Sequence, residues 1–261
     1  TGAADLAIAP SNPHKLFAAM WQFRRWPFFF RAGGPGSGLH VTHDGGTTWT
    51  RLQEADGMPK GVLGRIGVAF CRSHPEVVYA LVEAEKSALL RSADGGRTFV
   101  TVNEEPNISP RPFYFADLRV DPEWPNRVYR LDYGVRVSDD GGKTFRALEG
   151  ARSLHGDFHA MWIDPADGRR MYTGDDGGIG ESRDRGATMR FVTNLPLAQF
   201  YHVAVDDALP YNVMGGMQDN GSWRGPSRTF EEGGIKNHMW RLVGGGDGYN
   251  VLPDTMLPGV G

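Results

Sequence analysis

Three residues with metal-ligating side chains alternate between His155 and His159, with Asp157 between them. On a β-strand, positions i, i+2 and i+4 point to the same face. Two imidazoles and one carboxylate form a reasonable ligand set for a transition metal. The spacing indicates no fourth ligand, and a hydrogen-bonded network between neighbouring structural units explains the same residues. We favour the network, keep His155, Asp157 and His159 as a candidate metal site, and expect no cofactor.

Carboxylates cluster in two further places, at Asp175 and Asp176 and at Asp219. Both groups follow the second strand of a repeating unit, so they occupy equivalent loops and are candidates for the general acid and base of a glycosidase. Gln218 and Asn220 flank Asp219 and are candidate ligand-binding side chains. Asp and Asn beside Gly are also the usual residues of tight turns, and that interpretation fits both loops equally well.

Aromatic residues are concentrated at residues 21–31, where six of the first ten are Trp or Phe. Such a loop could be a stacking platform for sugars or an apolar patch for a protein partner. It could equally cover a neighbouring part of the same fold, because apolar clusters usually mark packing. The candidate ligand-binding residues of this loop are Trp21, Trp26, Phe28 and Phe29.

These candidates are positioned by a repeated turn with the pattern Ser/Thr-x-Asp-x-Gly-x-Thr followed by an aromatic residue or Met. Its Asp residues are Asp44, Asp94, Asp140 and Asp184, at intervals of 50, 46 and 44 residues. A regular interval of this size is typical of stacked or radially repeated units.

Each part of the repeated turn has a local role that needs no ligand. The carboxylate can accept hydrogen bonds from backbone N–H groups one or two residues on, as in an Asx-turn. The Gly can adopt a positive φ, and the aromatic residue is directed back into an apolar layer. We therefore interpret all four copies as structural turns between strands.

A second repeat interleaves with these turns: an apolar strand, a Pro- or Gly-containing turn and another apolar strand. Each unit then contains four short antiparallel strands, which is one blade of a β-propeller. The predicted fold class is all-β, a single β-propeller portion of about five four-stranded blades within a larger propeller. The predicted blades cover approximately residues 1–60, 61–110, 111–153, 154–198 and 199–245, and residues 246–261 begin a further blade.

The repeated turn resembles the Asp-box, or BNR repeat, of β-propellers such as sialidases, xyloglucanases, sortilin-type receptors and photosystem II assembly factors. The whole chain resembles part of the large secreted bacterial BNR/sortilin-like proteins, which are often labelled glycosyl hydrolases by analogy. Residues 155–159, 174–178 and 218–220 match recurrent motifs of that family. The resemblance implies the propeller fold but no single activity, because the same repeat occurs in enzymes, receptors and assembly factors.

The sequence lacks features that three narrower functions require. The Phe/Tyr-Arg-Ile-Pro element of sialidases does not occur in the sequence. Xyloglucanases place their cleft between two propellers, which one portion cannot build. Sortilin-type receptors carry a Cys-rich module, whereas this chain has one Cys.

Composition sets further bounds on the partners. The 261 residues include 36 Gly and 17 Pro and carry a net charge of −3. Without a basic stripe we expect no nucleic acid as a partner, and without a long apolar stretch we expect no membrane span. Cys71 has no second Cys to pair with and is predicted to be buried. Because the chain begins at Thr1, we expect it to be processed or to be part of something longer.

Two hypotheses about function remain open. The first is an interaction module, exported to the periplasm or to the outside of the cell, that binds a protein partner or a glycan through channel-mouth loops without catalysis. It could be a subunit of a larger assembly. The second is a glycoside hydrolase acting on a polysaccharide, xyloglucanase-like or related, with Asp175, Asp176 or Asp219 in catalysis.

Overall fold

The computed structural model of the protein describes residues 1–195 and 197–254, most of whose regular structure is β-strand. The chain divides into two compact units, Thr1–Phe191 and Val192–Gly261. Short 3-10 helices lie at Glu54–Asp56, Glu149–Ser153 and Asn237–Met239.

The first unit contains four antiparallel sheets of four strands each. In the first sheet, the strand order is β1-β2-β5-β6, and in the others the strands follow chain order. A two-stranded hairpin, β3 and β4, is inserted between β2 and β5. The strands are β1 (Gly2–Ala9), β2 (Asn12–Trp21), β3 (Phe23–Arg25), β4 (Phe30–Ala32), β5 (Gly38–Thr42), β6 (Thr50–Arg51), β7 (Ile66–Phe70), β8 (Val78–Val82), β9 (Ala88–Ser92), β10 (Val100–Asn103), β11 (Leu118–Val120), β12 (Val128–Leu131), β13 (Val135–Ser138), β14 (Arg146–Ala147), β15 (Phe158–Ile163), β16 (Met171–Asp175), β17 (Gly178–Ser182) and β18 (Arg190–Phe191).

The second unit contains one antiparallel four-stranded sheet. Its strands are β19 (His202–Val205), β20 (Asn212–Gly216), β21 (Ser222–Pro226) and β22 (Arg241–Gly244). The all-β prediction with four-stranded antiparallel blades is confirmed. Of the predicted further blade, residues 246–254 contain no strand, and residues 255–261 lie outside the described part of the chain. Within the described ranges, no helix is long and apolar enough to cross a membrane.

The apolar core of the first unit lies between successive sheets. Phe17 and Leu39 of the first sheet pack with Val68 and Leu90 of the second. Two further clusters join the second sheet to the third and the third to the fourth, with Tyr79, Tyr129 and Phe158 among their buried members. Burying one such side chain contributes roughly 1.5–3 kcal/mol, so sheet-on-sheet packing is what holds the unit together.

The four repeated turns have a common hydrogen-bond pattern, and we call them box turns (residues 42–49, 92–99, 138–145 and 182–189). In the second box turn, Ser92 Oγ donates to Asp94 Oδ1 at 2.7 Å and accepts from the Gly96 N–H at 2.7 Å. Thr98 donates its N–H to Asp94 Oδ1 at 3.0 Å and its hydroxyl to Oδ2 at 2.7 Å. The other three copies repeat these contacts. Each box turn joins the third and fourth strands of its sheet, as predicted.

Two details of the box turns differ from the prediction. The Asp carboxylate is bound by the N–H of the Thr four residues on, because two successive residues with positive φ bring the chain back over it. The aromatic residue is fully buried at Phe99, whereas Trp49 is 40% exposed. Trp49 is held at the surface of the turn because its indole Nε1 donates to the Gly46 carbonyl of the same turn at 3.0 Å.

Candidate functional site

The box turns define one end of the sheets in the first unit. Because neighbouring strands are antiparallel, the connections between second and third strands lie at the opposite end. The starts of β7, β11 and β15 lie at that end too. We call this end of the sheets the site face.

A cavity of about 170 Å³ opens on the site face. Asp5, Arg65 and Asp117 line it, and each stands one residue before the first apolar residue of its strand repeat. The other lining residues are Ala4, Ile66, Tyr114, Phe115, Ala116, Phe158 and His159. Equivalent positions of three successive sheets therefore place two carboxylates and one guanidinium around one space.

Polar side chains at the cavity connect successive first strands. Asp5 Oδ2 of β1 accepts the N–H of Val68 in β7 at 2.8 Å. Arg119 of β11 donates to the Met161 carbonyl of β15 at 2.9 Å and to Asp117 Oδ1 at 2.5 Å. Burial raises the pKa of Asp117, and the nearby Asp5 carboxylate adds to this, although Arg119 opposes it. The cavity thus holds a carboxyl group that keeps its proton more readily than an exposed one.

A second polar group adjoins the cavity at His159. Its ring stacks on Phe115 with centroids 5.1 Å apart, and its Nε2 lies 3.1 Å from Asp176 Oδ1. Asp175 ends β16 and its Oδ1 accepts the N–H groups of Gly177 and Gly178 at 2.9 and 3.0 Å. Its Oδ2 is buried without a hydrogen-bond partner among the described residues, and burial raises the pKa of this carboxyl.

The candidate metal ligands do not form a common face. Asp157 has φ 61°, a left-handed conformation that a strand does not contain, and β15 begins only at Phe158. The predicted strand alternation from His155 to His159 is therefore wrong, because the chain turns at Asp157. His159 is directed to Asp176, and over residues 1–195 and 197–254 no three His, Cys, Asp or Glu side chains are grouped closely enough to hold a metal ion.

The aromatic loop is a hairpin on the site face, made of β3 and β4 with a tight turn at its tip. The Trp26 N–H donates to the Phe29 carbonyl at 2.7 Å, which closes the turn. Phe28 is 89% exposed, and Trp26 and Phe29 are exposed beside it. Trp21 is only 8% exposed and packs between Phe23 and Phe113. Trp21 thus packs beneath the hairpin, and the ligand-binding role predicted for it stays a prediction.

A continuous series of rings leads from the hairpin to the cavity. Phe113 contacts Phe30 at 4.4 Å between centroids and Tyr114 at 4.8 Å. Phe115 follows Tyr114 at 6.3 Å and reaches His159. Residues 113–115 are not among the predicted site residues, although three consecutive aromatic residues just before Asp117 are a visible signal in the sequence.

In the second unit, residues 218–220 form the turn between β20 and β21. Asp219 has φ 58°, and its N–H donates to Asp247 Oδ1 at 2.9 Å. Gln218 Oε1 accepts from the Tyr201 hydroxyl at 2.6 Å, and Asn220 donates to the Gln218 carbonyl at 2.9 Å. These contacts are those of a tight turn. A catalytic pairing of Asp219 with the carboxylates of the first unit stays a prediction.

The chain is similar in fold to known β-propeller proteins. No protein-family model matches the sequence. Over 153 residues, 57% of this chain and 18% of the relative, the sequence is 23% identical to a probable oligoxyloglucan-reducing end-specific xyloglucanase of Neosartorya fischeri. The crystal structure of the GH74 xyloglucanase from Xanthomonas campestris superposes with a TM-score of 0.53 at 17% identity, covering 86% of this chain and 36% of that one. The GH74 enzyme of Niastella koreensis gives 0.54 at 14% identity, covering 87% and 36%.

The chain therefore spans about a third of the length of these two structures, and less of the fungal relative. At such identities the likeness concerns the fold, which is that of β-propeller proteins. It does not transfer an activity, because function depends on the residues of a site rather than on the fold that carries it.

Proposed function

We propose that this chain is part of an exported β-propeller protein that binds a glycan across the site face of its first unit. The observation that carries the proposal is the continuous series of rings from Phe30 to His159, which ends at a cavity lined by polar side chains. The Trp26–Phe29 ring pair lies at the hairpin tip beside this series.

The chemistry of this series suits a sugar chain. A pyranose ring has an apolar face that packs on an aromatic ring and hydroxyl groups that need hydrogen-bond partners. The hairpin supplies exposed rings at Trp26, Phe28 and Phe29. The cavity supplies carboxylate, guanidinium and imidazole groups at its end, and convergent polar groups beside apolar surface are typical of ligand sites. The xyloglucanases with a similar fold are named for a polysaccharide, which supports this class of ligand.

The first experiment compares polysaccharide binding by the chain and by the variant Trp26→Ala/Phe28→Ala/Phe29→Ala. We expect the variant to lose most of its affinity in affinity electrophoresis or calorimetry, because stacking on exposed rings carries the binding. Phe230→Ala is the matched control, since Phe230 is 92% exposed but lies in the second unit. Equal binding by the triple variant and the chain would refute the role of the hairpin. Binding of a protein and of no glycan would favour a protein partner instead.

A second candidate function is hydrolysis of the bound polysaccharide, favoured by the raised pKa of two carboxyl groups. Asp117 and Asp175 both keep a proton more readily than an exposed Asp, and Asp176 lies beside His159. A glycosidase needs one protonated and one ionised carboxyl group across the bond that it cleaves. Release of reducing ends that is abolished by Asp117→Asn, Asp175→Asn or Asp176→Asn would establish it. If no bound polysaccharide is cleaved to release reducing ends, hydrolysis by this chain is excluded.

A further inference from the structure

We propose that the glycan bound at the site face is acidic, with uronate residues that alternate with neutral sugars. This inference builds on the proposed glycan site and concerns the charge of its ligand. It is carried by exposed arginines on the aromatic hairpin and beside it that form no ion pair among the described residues, within a chain whose net charge is −3.

The hairpin carries positive charge without acidic neighbours in sequence. Residues 6–43 contain no Asp or Glu, and Arg24, Arg25 and Arg31 are exposed within this stretch. Arg111, from the loop that carries Phe113, is exposed on the same face. None of these four arginines takes part in the ion pairs formed among the residues that the structure describes.

Two of these arginines face each other across the hairpin. Arg24 and Arg31 are direct cross-strand partners in the β3–β4 ladder. Like charges at opposed positions destabilise a two-stranded ribbon, so the packing of Phe23 and Phe30 on Phe113 has to offset the repulsion. A bound carboxylate between the two guanidinium groups would relieve this repulsion, so the pairing is consistent with an anionic ligand at the hairpin.

The arginines are also held against the aromatic rings. The guanidinium carbon of Arg24 lies 5.2 Å from the centre of the Trp26 ring, and that of Arg25 lies 5.7 Å from Phe113. Arg111 lies 4.3 Å from the Tyr114 ring. Stacking fixes the plane of a guanidinium, whose paired N–H groups match a carboxylate in a bidentate fashion. Two exposed rings, Trp26 and Tyr114, therefore each have a guanidinium over one face, which could bind the carboxylate of a uronate sugar beside the ring.

The far end of the ring series favours neutral sugars. Asp5, Asp117 and Asp176 lie at or beside the cavity, where their oxygens can accept hydrogen bonds from sugar hydroxyl groups and outnumber the one guanidinium, that of Arg65, that lines it. A nucleic acid strand carries a phosphate at every nucleotide, so some of its phosphates would face these carboxylates. A polysaccharide with alternating uronate and neutral units can place its charges at the hairpin and a neutral unit at the cavity. An acidic heteropolysaccharide therefore fits the whole site face better than a polynucleotide.

The test compares hyaluronan, in which glucuronate alternates with a neutral amino sugar, with neutral xyloglucan and single-stranded DNA. Binding to the chain is measured at salt concentrations of about 0.01 M and about 0.15 M, between which the screening length falls from about 30 to about 8 Å. We expect hyaluronan to bind most tightly and to weaken at the higher salt. Arg24→Gln/Arg25→Gln/Arg31→Gln should lower its affinity roughly tenfold and remove most of the salt dependence, because exposed ion pairs are individually weak and are screened by salt.

Two further variants separate charge from folding. Arg97→Gln/Lys143→Gln/Arg183→Gln removes the same charge from the box turns at the other end of the sheets and should leave binding unchanged. Arg24→Lys/Arg25→Lys/Arg31→Lys keeps the charge but not the bidentate geometry, and should recover part of the affinity.

Three other outcomes would contradict the acidic ligand, the glycan site or both. Equal binding of xyloglucan and hyaluronan, insensitive to salt and to the Arg24→Gln/Arg25→Gln/Arg31→Gln change, would overturn the acidic ligand and leave the glycan site standing. Binding of no polysaccharide would overturn both. Tighter binding of single-stranded DNA than of hyaluronan would replace the acidic polysaccharide with a nucleic acid.

Discussion

His159 Nε2 lies 3.1 Å from Asp176 Oδ1, which joins the first strand of the fourth sheet to the turn after its second strand. The imidazole also stacks on Phe115 of the connection between β10 and β11. The pair therefore stands where the aromatic series meets the carboxylates of the cavity, and both side chains remain partly open to solvent.

The first prediction concerns this pair. His159→Gln should weaken glycan binding at least severalfold while changing the free energy of unfolding by no more than about 1 kcal/mol, because partly exposed ion pairs contribute little to stability. The measurements are calorimetric affinity and urea unfolding.

His238→Gln is the matched control, because His238 lies 3.5 Å from Glu231 in an exposed pair of the second unit. It should change neither quantity. If His159→Gln instead loses several kcal/mol of unfolding free energy while the folded molecules keep their glycan affinity, the His159–Asp176 pair has a structural role and not a binding role.

The second prediction concerns the box-turn carboxylates. Asp140 accepts hydrogen bonds from Ser138 and from the N–H and hydroxyl of Thr144. Burial acts to raise its pKa, but these hydrogen bonds outweigh it and lower the pKa to about 2. Asp140→Ala should destabilise the first unit by roughly 1–3 kcal/mol, since it leaves several donors without their acceptor. Lys143→Ala in the same turn is the control and should change unfolding little.

The third prediction is the pH dependence of that contribution. A carboxyl group whose pKa is lower in the folded state stabilises the fold above its unfolded pKa, 3.8 for Asp140, and loses that effect as the pH falls through the folded value of about 2. Denaturant unfolding of the chain should therefore show stability falling between about pH 4 and pH 2. Asp140→Asn should flatten part of this fall. An unchanged slope in that variant would mean that Asp140 does not couple folding to protons.

The box turns were predictable because everything that forms them is local. Asp140 is hydrogen-bonded to Ser138 and Thr144, all within seven residues, so the sequence pattern alone predicts the turn. The four-stranded units followed from the spacing of these turns. The fourth copy has Arg185 in place of the first Gly and still adopts φ 59°, with the hydrogen bonds of Asp184 to Ser182 and Thr188 intact.

The candidate site was less predictable because it is assembled between sheets. The role of Asp5 at the cavity depends on how β1 packs beside β7, and that of Phe113 on where the hairpin folds back. The spacing of residues along the sequence predicts neither the contact of Asp5 with β7 nor that of Phe113 with the hairpin. The conformation of Asp157 also depends on its place between sheets, since its N–H donates to the Tyr133 carbonyl of the preceding sheet's hairpin.

The fourth prediction separates the two reasons for glycine in the box turns. Gly96 and Gly46 occupy equivalent positions with φ 85° and 96°. A Cβ on Gly96 would lie 2.3 Å from Phe17 Cζ, whereas one on Gly46 would lie 3.7 Å from the nearest atom, in Trp49. Gly46→Ala should cost about 1 kcal/mol for the backbone conformation alone, and Gly96→Ala about 1–3 kcal/mol more for the collision with the core. Thermal or urea unfolding of both variants measures the difference, and equal costs would show that the core yields freely at Phe17.

The fifth prediction uses the contrast between Trp21 and Phe28, two aromatic residues of the same loop. Trp21 is 8% exposed and stacks at 4.2 Å on Phe23, so Trp21→Ala should destabilise the first unit by about 3–5 kcal/mol. Phe28 is 89% exposed at the hairpin tip, so Phe28→Ala should leave unfolding unchanged and weaken binding of hyaluronan instead. Urea unfolding and calorimetry on the same preparations give both quantities. If Phe28→Ala unfolds as easily as Trp21→Ala, the hairpin tip packs on other parts of the protein and is not an open platform. Unchanged stability with lost affinity is the result that a sugar-stacking ring requires.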